Sequence, residues 1–578
     1  MSTPSIRFKL SFPEPQTHYT EVIMFMDNID NKEFVDIVMP VWAPGSYLVR
    51  EYSKNIERLH AFSKENEAIK TEKVSKNTWR IYNHKEDIRI HYAVYAFETS
   101  VRTSFIDNSR AFLSPVGVFM YLNDHLDLSS TIEIDLPHHW NKISTGLPQM
   151  QNSNTYFAEN FDILYDSPFE LGNQDTWQFD VDGILHECAM VGIADYDKEQ
   201  LSTDITKIVQ EENKIWGSNP NNYYLIVTHN HQQAHGGLEH LNSTILAASR
   251  FAYSQTQAYK NYLSLVAHEY FHLWNVKRLR PKALGPFNYN EENYTTALWI
   301  MEGITSYYDN LIIRRCGFYD EKEYLSQLVN EFNIVYNRPG HMYQSAARSS
   351  YDTWIKHYRP DENSHNVTIS YYNKGAMHSM ALDLKIIAET NGKYRLDDVL
   401  KKAYETFYLI ENKGFEEHEF HQLAEDVTGV DLSEIFSAAH SVIEVDYNEY
   451  FNRVGYELID LNANETIPSL GFKSHYQDGK TIVKTIDRDS GAWIGGLNVH
   501  DEIIAINNHR LEENSKALDY FLSKSTIGDT LSFLIARDAI IYTLEIPVMA
   551  SNKKNFVIQR KENASLQEQE LGDIWLSL

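Results

Sequence analysis

The sequence predicts a multidomain protein: an all-β domain, an α+β domain whose second half is mainly helical, and a smaller C-terminal domain. Three observations carry this reading. Apolar and polar residues alternate with a period of two through the first 170 positions, helical patterns take over after about residue 245, and composition shifts again at Asp460-Leu461-Asn462-Ala463-Asn464-Glu465. A chain of 578 residues accommodates roughly three to four domains at about 100–200 residues each. The boundaries are placed at 1–170, 171–455 and 456–550, with a tail at 551–578.

In the first domain Ile6, Phe8 and Leu10 alternate with Arg7 and Lys9. Ile88, Ile90, Tyr92 and Val94 alternate with Arg89, His91 and Ala93, and Ile132, Ile134 and Leu136 with Glu133 and Asp135. This is the period of half-buried strands, and several of them with short polar connections suggest a β-sandwich. No cluster here has metal-ligand or nucleophile spacing. The stretch Trp42-Ala43-Pro44-Gly45-Ser46-Tyr47 reads as a structural turn, with lining of a cleft as the second reading. From about residue 175 the pattern is mixed; 187–191 and 223–227 read as strands, and a sheet followed by helices gives the α+β class.

The chemistry of the second domain centres on His268-Glu269-Tyr270-Phe271-His272, in a run from Asn261 to Val276 that no proline or glycine interrupts. On a helix, residues four apart lie about 40° apart around the axis and one turn apart along it, so both imidazoles can reach one ion. Glu269 falls on nearly the same face, the layout of a zinc peptidase base. Tyr262, Leu265, Val266, Phe271 and Leu273 make the helix a buried one, where polar side chains without partners are costly. A chance match, with the histidines bonded to other core groups, is the competing reading.

A third ligand is expected in Leu298-Trp299-Ile300-Met301-Glu302-Gly303-Ile304. Glu302 sits among side chains too apolar for a free charge. Pro281, Gly285 and Pro286 mark the loop that turns the chain back, Asn290 or Asn293 is the expected helix cap, and Gly317 the stop. A solvated surface glutamate is the alternative. His229, His231, His235 and His240 form a rival cluster, but on a strand and loop their spacing suits a compact site less well. Further helices are expected at 377–387, 414–428 and 432–440, with Asp431 at a cap.

Lys and Arg number 52 against 80 Asp and Glu, a net charge of −28. That balance argues against nucleic acid as a partner and against anionic membranes. Cys188 and Cys316 exclude a disulfide framework, leaving one bridge at most. Neither a signal-like apolar run at residues 1–8 nor an uninterrupted membrane-length apolar segment is present, so no membrane insertion and a cytoplasmic location are expected.

His-Glu-Tyr-Phe-His-Leu-Trp-Asn-Val-Lys-Arg-Leu-Arg-Pro at 268–281, Trp-Ile-Met-Glu-Gly-Ile-Thr-Ser-Tyr-Tyr at 299–308 and the Pro40 to Tyr47 stretch together resemble the glycyl aminopeptidase family of zinc peptidases, in the gluzincin group. The resemblance implies a thermolysin-like fold for residues 171–455 and one Zn2+ per chain on His268, His272 and Glu302, with Glu269 as general base for a zinc-bound water. It also implies removal of small N-terminal residues, glycine or alanine. Gly236-Gly237-Leu238-Glu239-His240 resembles the edge-strand motif in which glycine admits the substrate backbone and the glutamate, here Glu239, binds the free amine; an ordinary surface loop is the alternative. Tyr372-Asn373-Lys374-Gly375 resembles the element whose tyrosine stabilises the oxyanion, with Tyr371 as the other candidate hydroxyl. In related thermolysin-type enzymes an aspartate often follows the ligand glutamate by four positions; Ser306 stands there.

Beyond residue 460, Leu470-Gly471-Phe472, the strand at 482–486 and Gly495 to Asn507 resemble a PDZ domain. This implies a peptide ligand added at a sheet edge, its terminal carboxylate held by the Leu470-Gly471-Phe472 loop. The tail is expected to dock as a short helix or strand. The expected partner is a peptide with a free N-terminus. The two other readings are an endopeptidase that recruits proteins through the PDZ domain, and a noncatalytic scaffold with structural zinc.

Overall fold

The structure, a computed structural model, describes residues 5–28, 33–82, 87–151, 153–513 and 516–577. Residues 1–4 of the expected first domain and residue 578 of the tail lie outside the described residues.

The N-terminal region is β-rich. A seven-stranded sheet runs in the order Thr155–Ala158, Ser130–Asp135, Ser5–Ser11, Tyr19–Asp27, Ile88–Tyr95, Ile56–Ser63, Ala68–Ile69. The period-two alternation fixes its register: Phe8 lies opposite Met24, and Met24 opposite Ile90, all three fully buried. A one-residue slip would turn every one of these side chains to the solvent face. Two four-stranded sheets share the same core, contributing Ile37 and Ile81 from one and Leu113 and Phe169 from the other.

The stretch around Trp42 leaves this core for the next one. Val41, Trp42 and Tyr47 pack into the core of the second domain, where the Trp42 ring meets Trp354 edge-on at 5.1 Å and its Nε1 donates to the Asn288 carbonyl at 2.8 Å. The turn is therefore a bridge between domains.

The second domain opens on a five-stranded sheet ordered Asp175–Val181, Ile184–Val191, Tyr223–His231, Ser243–Ser249, His235–Glu239. The three central strands are parallel, and His235–Glu239 is an antiparallel strand at the edge. Helix Lys198–Trp216 connects Ile184–Val191 to Tyr223–His231, helices Thr256–Phe271 and Leu298–Arg315 follow the sheet, and helices continue to Tyr447–Arg453. Helices Leu298–Arg315 and Tyr371–Glu389 cross on glycines; a Cβ on Gly303 would lie 2.4 Å from the Gly375 Cα.

Two boundaries differ from the expectation. The histidine-bearing helix spans Thr256–Phe271, one turn earlier than the uninterrupted run suggests, with His272 as its αR cap and Val276 at φ 103°. The next helix begins at Leu298 with no side-chain cap, because Asn293 turns back to Asn288 and Asn290 donates to Tyr121. Gly317, at φ 77°, closes it as expected. Cys188 and Cys316 are both free.

Strand Tyr456–Asp460 pairs antiparallel with Phe556–Arg560, so residues 461–555 lie between two partnered strands. They have their own core, including Leu470, Val483, Ile506 and Phe533, around the strands Phe472–Gln477, Lys480–Ile486, Glu502–Ile506, Thr530–Arg537 and Ile540–Pro547. The chain then returns as helix Leu566–Trp575, whose Trp575 is fully buried and donates from Nε1 to the Tyr307 hydroxyl at 2.8 Å. Among the described residues no helix is long and apolar enough to cross a membrane.

Candidate active site

Three side chains converge at the floor of a cleft. The Nε2 atoms of His268 and His272 are 3.2 Å apart, and Glu302 Oε2 lies 3.6 Å from the first and 3.2 Å from the second. Bonds of about 2.0–2.1 Å in tetrahedral zinc geometry place two ligand atoms roughly 3.3 Å apart, so the donor set and its spacing fit the ion. Glu302 and His272 are buried, at 2% and 1% exposure.

The outer ring nitrogens are committed elsewhere, which aims both Nε2 atoms at the centre. His268 Nδ1 is 3.0 Å from Asp309 Oδ2, and His272 Nδ1 is 2.8 Å from the Asn275 carbonyl. Asn275 is itself anchored, its Nδ2 donating to the Met301 carbonyl and the Thr305 hydroxyl at 2.8 and 3.1 Å. Sequence reasoning missed Asp309. Its signal was the seven-residue spacing from Glu302, two helical turns, which returns to the same face; Ser306, four residues on, lines the cleft instead.

The ionisable groups of the cluster shift one another strongly. Burial opposes charge on His268, yet hydrogen bonds to Asp309 and Glu302 carry its pKa well above the ordinary value. Burial likewise opposes charge on Glu302, but His272 and His268 bring it down to about 2. Glu269 behaves differently: burial pushes it up to about 7 against the pull of both histidines. Among the described residues, one Glu269 oxygen, Oε2, is buried without a hydrogen-bond partner. An unpartnered carboxylate oxygen beside a ligand cluster is what a proton acceptor requires.

The edge strand forms one wall. Gly237 presses its backbone against Glu269, since a Cβ there would lie 2.2 Å from Oε1. Glu239 is buried, and one of its oxygens lies within 4.8 Å of ligand atoms of both Glu269 and His272. Gly45, at φ 82°, fits against it, because a Cβ would meet Glu239 Oε1 at 2.4 Å. Both readings of the 42–47 stretch hold at different residues: Trp42 and Tyr47 are buried in the core, while Gly45 lines the cleft, together with Gly236, Gly237 and Tyr372. The cleft encloses about 440 Å³.

Tyr372 lies at the start of its helix with its ring 6.4 Å from that of His268. Burial, then Glu302, holds its phenol well above the usual pKa, so it stays a donor. Tyr371, stacked on it at 4.6 Å, is fully buried and shares its hydroxyl with Thr353 at 3.2 Å, outside the cleft. The histidine-rich stretch does not converge: His229 bonds Glu170 at 2.9 Å and His240 bonds Asp166 at 3.0 Å, leaving only His235 at the cleft.

The fold and this site define a metallopeptidase. Residues 7–173 match the peptidase M61 N-terminal domain, and residues 261–378 match the M61 glycyl aminopeptidase domain, so the chain carries peptidase M61 family domains. The crystal structure of an aminopeptidase N family protein from Idiomarina loihiensis is 28% identical, with a TM-score of 0.91 over 99% of this chain and 100% of that one. An M1 zinc metallopeptidase from Deinococcus radiodurans is 11% identical, with a TM-score of 0.47 over 77% and 96%. Yeast LTA4 hydrolase is 12% identical, with a TM-score of 0.46 over 77% and 67%. These last two similarities are too loose to carry a functional argument. The sequence has no significant match among curated proteins.

Proposed function

We propose that this protein is a zinc aminopeptidase that removes small N-terminal residues such as glycine or alanine. The observation that carries the reading is the buried Glu239 carboxylate at the end of the edge strand, beside Glu269 and walled by Gly45. An extended substrate laid along that strand meets a carboxylate next to the ligand cluster, suited to a free α-amine by a charge-assisted hydrogen bond. The Gly45 turn closes on Glu239 at that end of the strand.

His268, His272 and Glu302 would hold the zinc, which supplies a Lewis acid for a peptide carbonyl and lowers the pKa of a water to about 7. Glu269 accepts the proton of the attacking water and returns it to the leaving amine. Tyr372 donates a hydrogen bond to the carbonyl oxygen as it gains charge. Gly236 and Gly237 let the substrate backbone approach, and Glu239 fixes the amine.

Residues 456–550 are read as a PDZ domain. Phe472–Gln477 lies at the end of its sheet with largely exposed side chains, and its first residue closes the Leu470-Gly471-Phe472 loop, which supports addition of a peptide strand there. The test of the enzymatic reading is hydrolysis of free-amine and N-acetylated glycine, alanine and leucine anilides, with Glu269→Gln as the blank. Cleavage restricted to free amines and absent in the variant supports it. Equal cleavage of acetylated substrates would instead select the endopeptidase.

A further inference from the structure

Among the described residues, Arg102 is the one strongly basic side chain lining the cleft, and it comes from the other domain, in the segment between strands Ile88–Tyr95 and Phe105–Ile106. Its Nη2 donates to the Gly237 carbonyl at 3.1 Å, the residue whose backbone presses on Glu269. Its own carbonyl is held by the buried Tyr52 hydroxyl at 3.0 Å, which fixes the loop. The guanidinium is in electrostatic reach of Tyr358, Tyr372, Glu269 and Glu239, and its Nε is buried without a partner among the described residues. The Nη2 bond to Gly237 fixes the plane of the fork; with Nε buried, the N–H groups that can meet a ligand are those of Nη1 and Nη2.

Resting on the aminopeptidase reading, we propose that Arg102 is a further catalytic residue, whose free N–H groups contact the oxygen of the scissile carbonyl beside Tyr372 as that oxygen gains negative charge. The bond to Gly237 ties this donor to the wall that carries the substrate, so donor and substrate move together. A fixed cation aimed at developing charge stabilises the transition state more than the ground state, and it appears in kcat more than in KM.

The experiment compares Arg102→Lys, Arg102→Gln and Arg102→Ala with the full-length, zinc-loaded wild type on alanine anilide, and measures binding of a phosphonate dipeptide analogue and of free alanine by calorimetry. Expected are a 10²–10³-fold loss of kcat in the Gln and Ala variants, KM within about threefold, a parallel loss of phosphonate affinity, and unchanged alanine binding. Arg102→Lys keeps the charge without the fork and should fall between. If Arg102→Ala does not fold, Arg102→Gln, which keeps an N–H for Gly237, carries the test. Wild-type kcat in a folded Gln variant overturns the proposal, as does an equal loss of alanine and phosphonate binding, which marks a purely structural role. A silent wild type on free-amine substrates would instead remove the aminopeptidase reading itself.

Discussion

His268 presents Nε2 to the ligand cluster and Nδ1 to Asp309, so one carboxylate decides which nitrogen is free for the metal. Partners of this kind typically govern 10–100-fold in metal affinity. Asp309→Ala should therefore weaken zinc binding by about that factor in a chelator competition, while Ser306→Ala should leave it unchanged. Glu269 and Glu302 divide by environment: Glu302 is held anionic by two imidazoles, whereas burial lifts Glu269 toward protonation. Glu269→Gln should abolish turnover with zinc content retained, and Glu302→Ala should lose the metal with the fold intact. Full zinc content in Glu302→Ala, by metal analysis, would remove it from the ligand set. Of these residues, the histidines, Glu269 and Glu302 were legible as a spaced motif; Asp309 shares the face of Glu302 two helical turns on, but that spacing alone does not say which side chain of another helix it meets.

The crossing of helices Leu298–Arg315 and Tyr371–Glu389 brings Tyr372 to Glu302. It depends on two facing glycines: a Cβ on Gly375 would lie 2.6 Å from the Trp299 carbonyl oxygen. Since backbone must move to admit either methyl, Gly303→Ala and Gly375→Ala should each cost about 1–3 kcal/mol in denaturant unfolding, and together less than the sum, since the same separation relieves both clashes. The second helix is also tied through Lys374 to Glu444. Burial works against charge on Glu444, but His341 and Lys374 bring its pKa down to about 2. A carboxylate depressed in the folded state stabilises above its ordinary range and loses that contribution as pH falls toward the folded value. The pair should therefore support stability above about pH 4.5 and fade between there and about pH 2. Comparing acid unfolding of wild type and Glu444→Gln checks the sign: the stability gap should shrink as pH falls through that window.

At the scale of the molecule, the site is assembled from two domains and locked by the end of the chain. Gly45 and Arg102 reach it from the β-rich domain, and Trp575 packs behind the helix of Glu302, in hydrogen-bond contact with Tyr307. Tyr307 in turn donates to Asp383 at 2.7 Å, and Arg395 grips the Ile574 and Trp575 carbonyls, each at 3.2 Å. Removing the Trp575 side chain leaves a large cavity and strands a phenol contact. Trp575→Ala should cost about 3–5 kcal/mol of stability, read as a lowered unfolding midpoint. The inserted unit is clamped onto the helical half by side-chain amides that mimic a backbone: Asn366 Nδ2 donates to the Ile486 carbonyl at 2.9 Å while its Oδ1 accepts from Arg488 N at 2.8 Å.

What the sequence determined by itself was local: period-two strands in the first domain, the helical face that carries His268, Glu269 and His272, the apolar setting that makes Glu302 a ligand candidate, and the glycine stop at Gly317. Each follows from spacing along one element, which geometry converts directly into direction. Tertiary structure decided the contacts between elements. Asp309 on His268, Gly45 against Glu239, Arg102 on the Gly237 carbonyl, the return of the chain to pair 556–560 with 456–460, and the burial of Trp575 join residues from a few tens to hundreds of positions apart. No periodicity records such pairs, because their energy comes from packing and desolvation that exist only once the chain has folded.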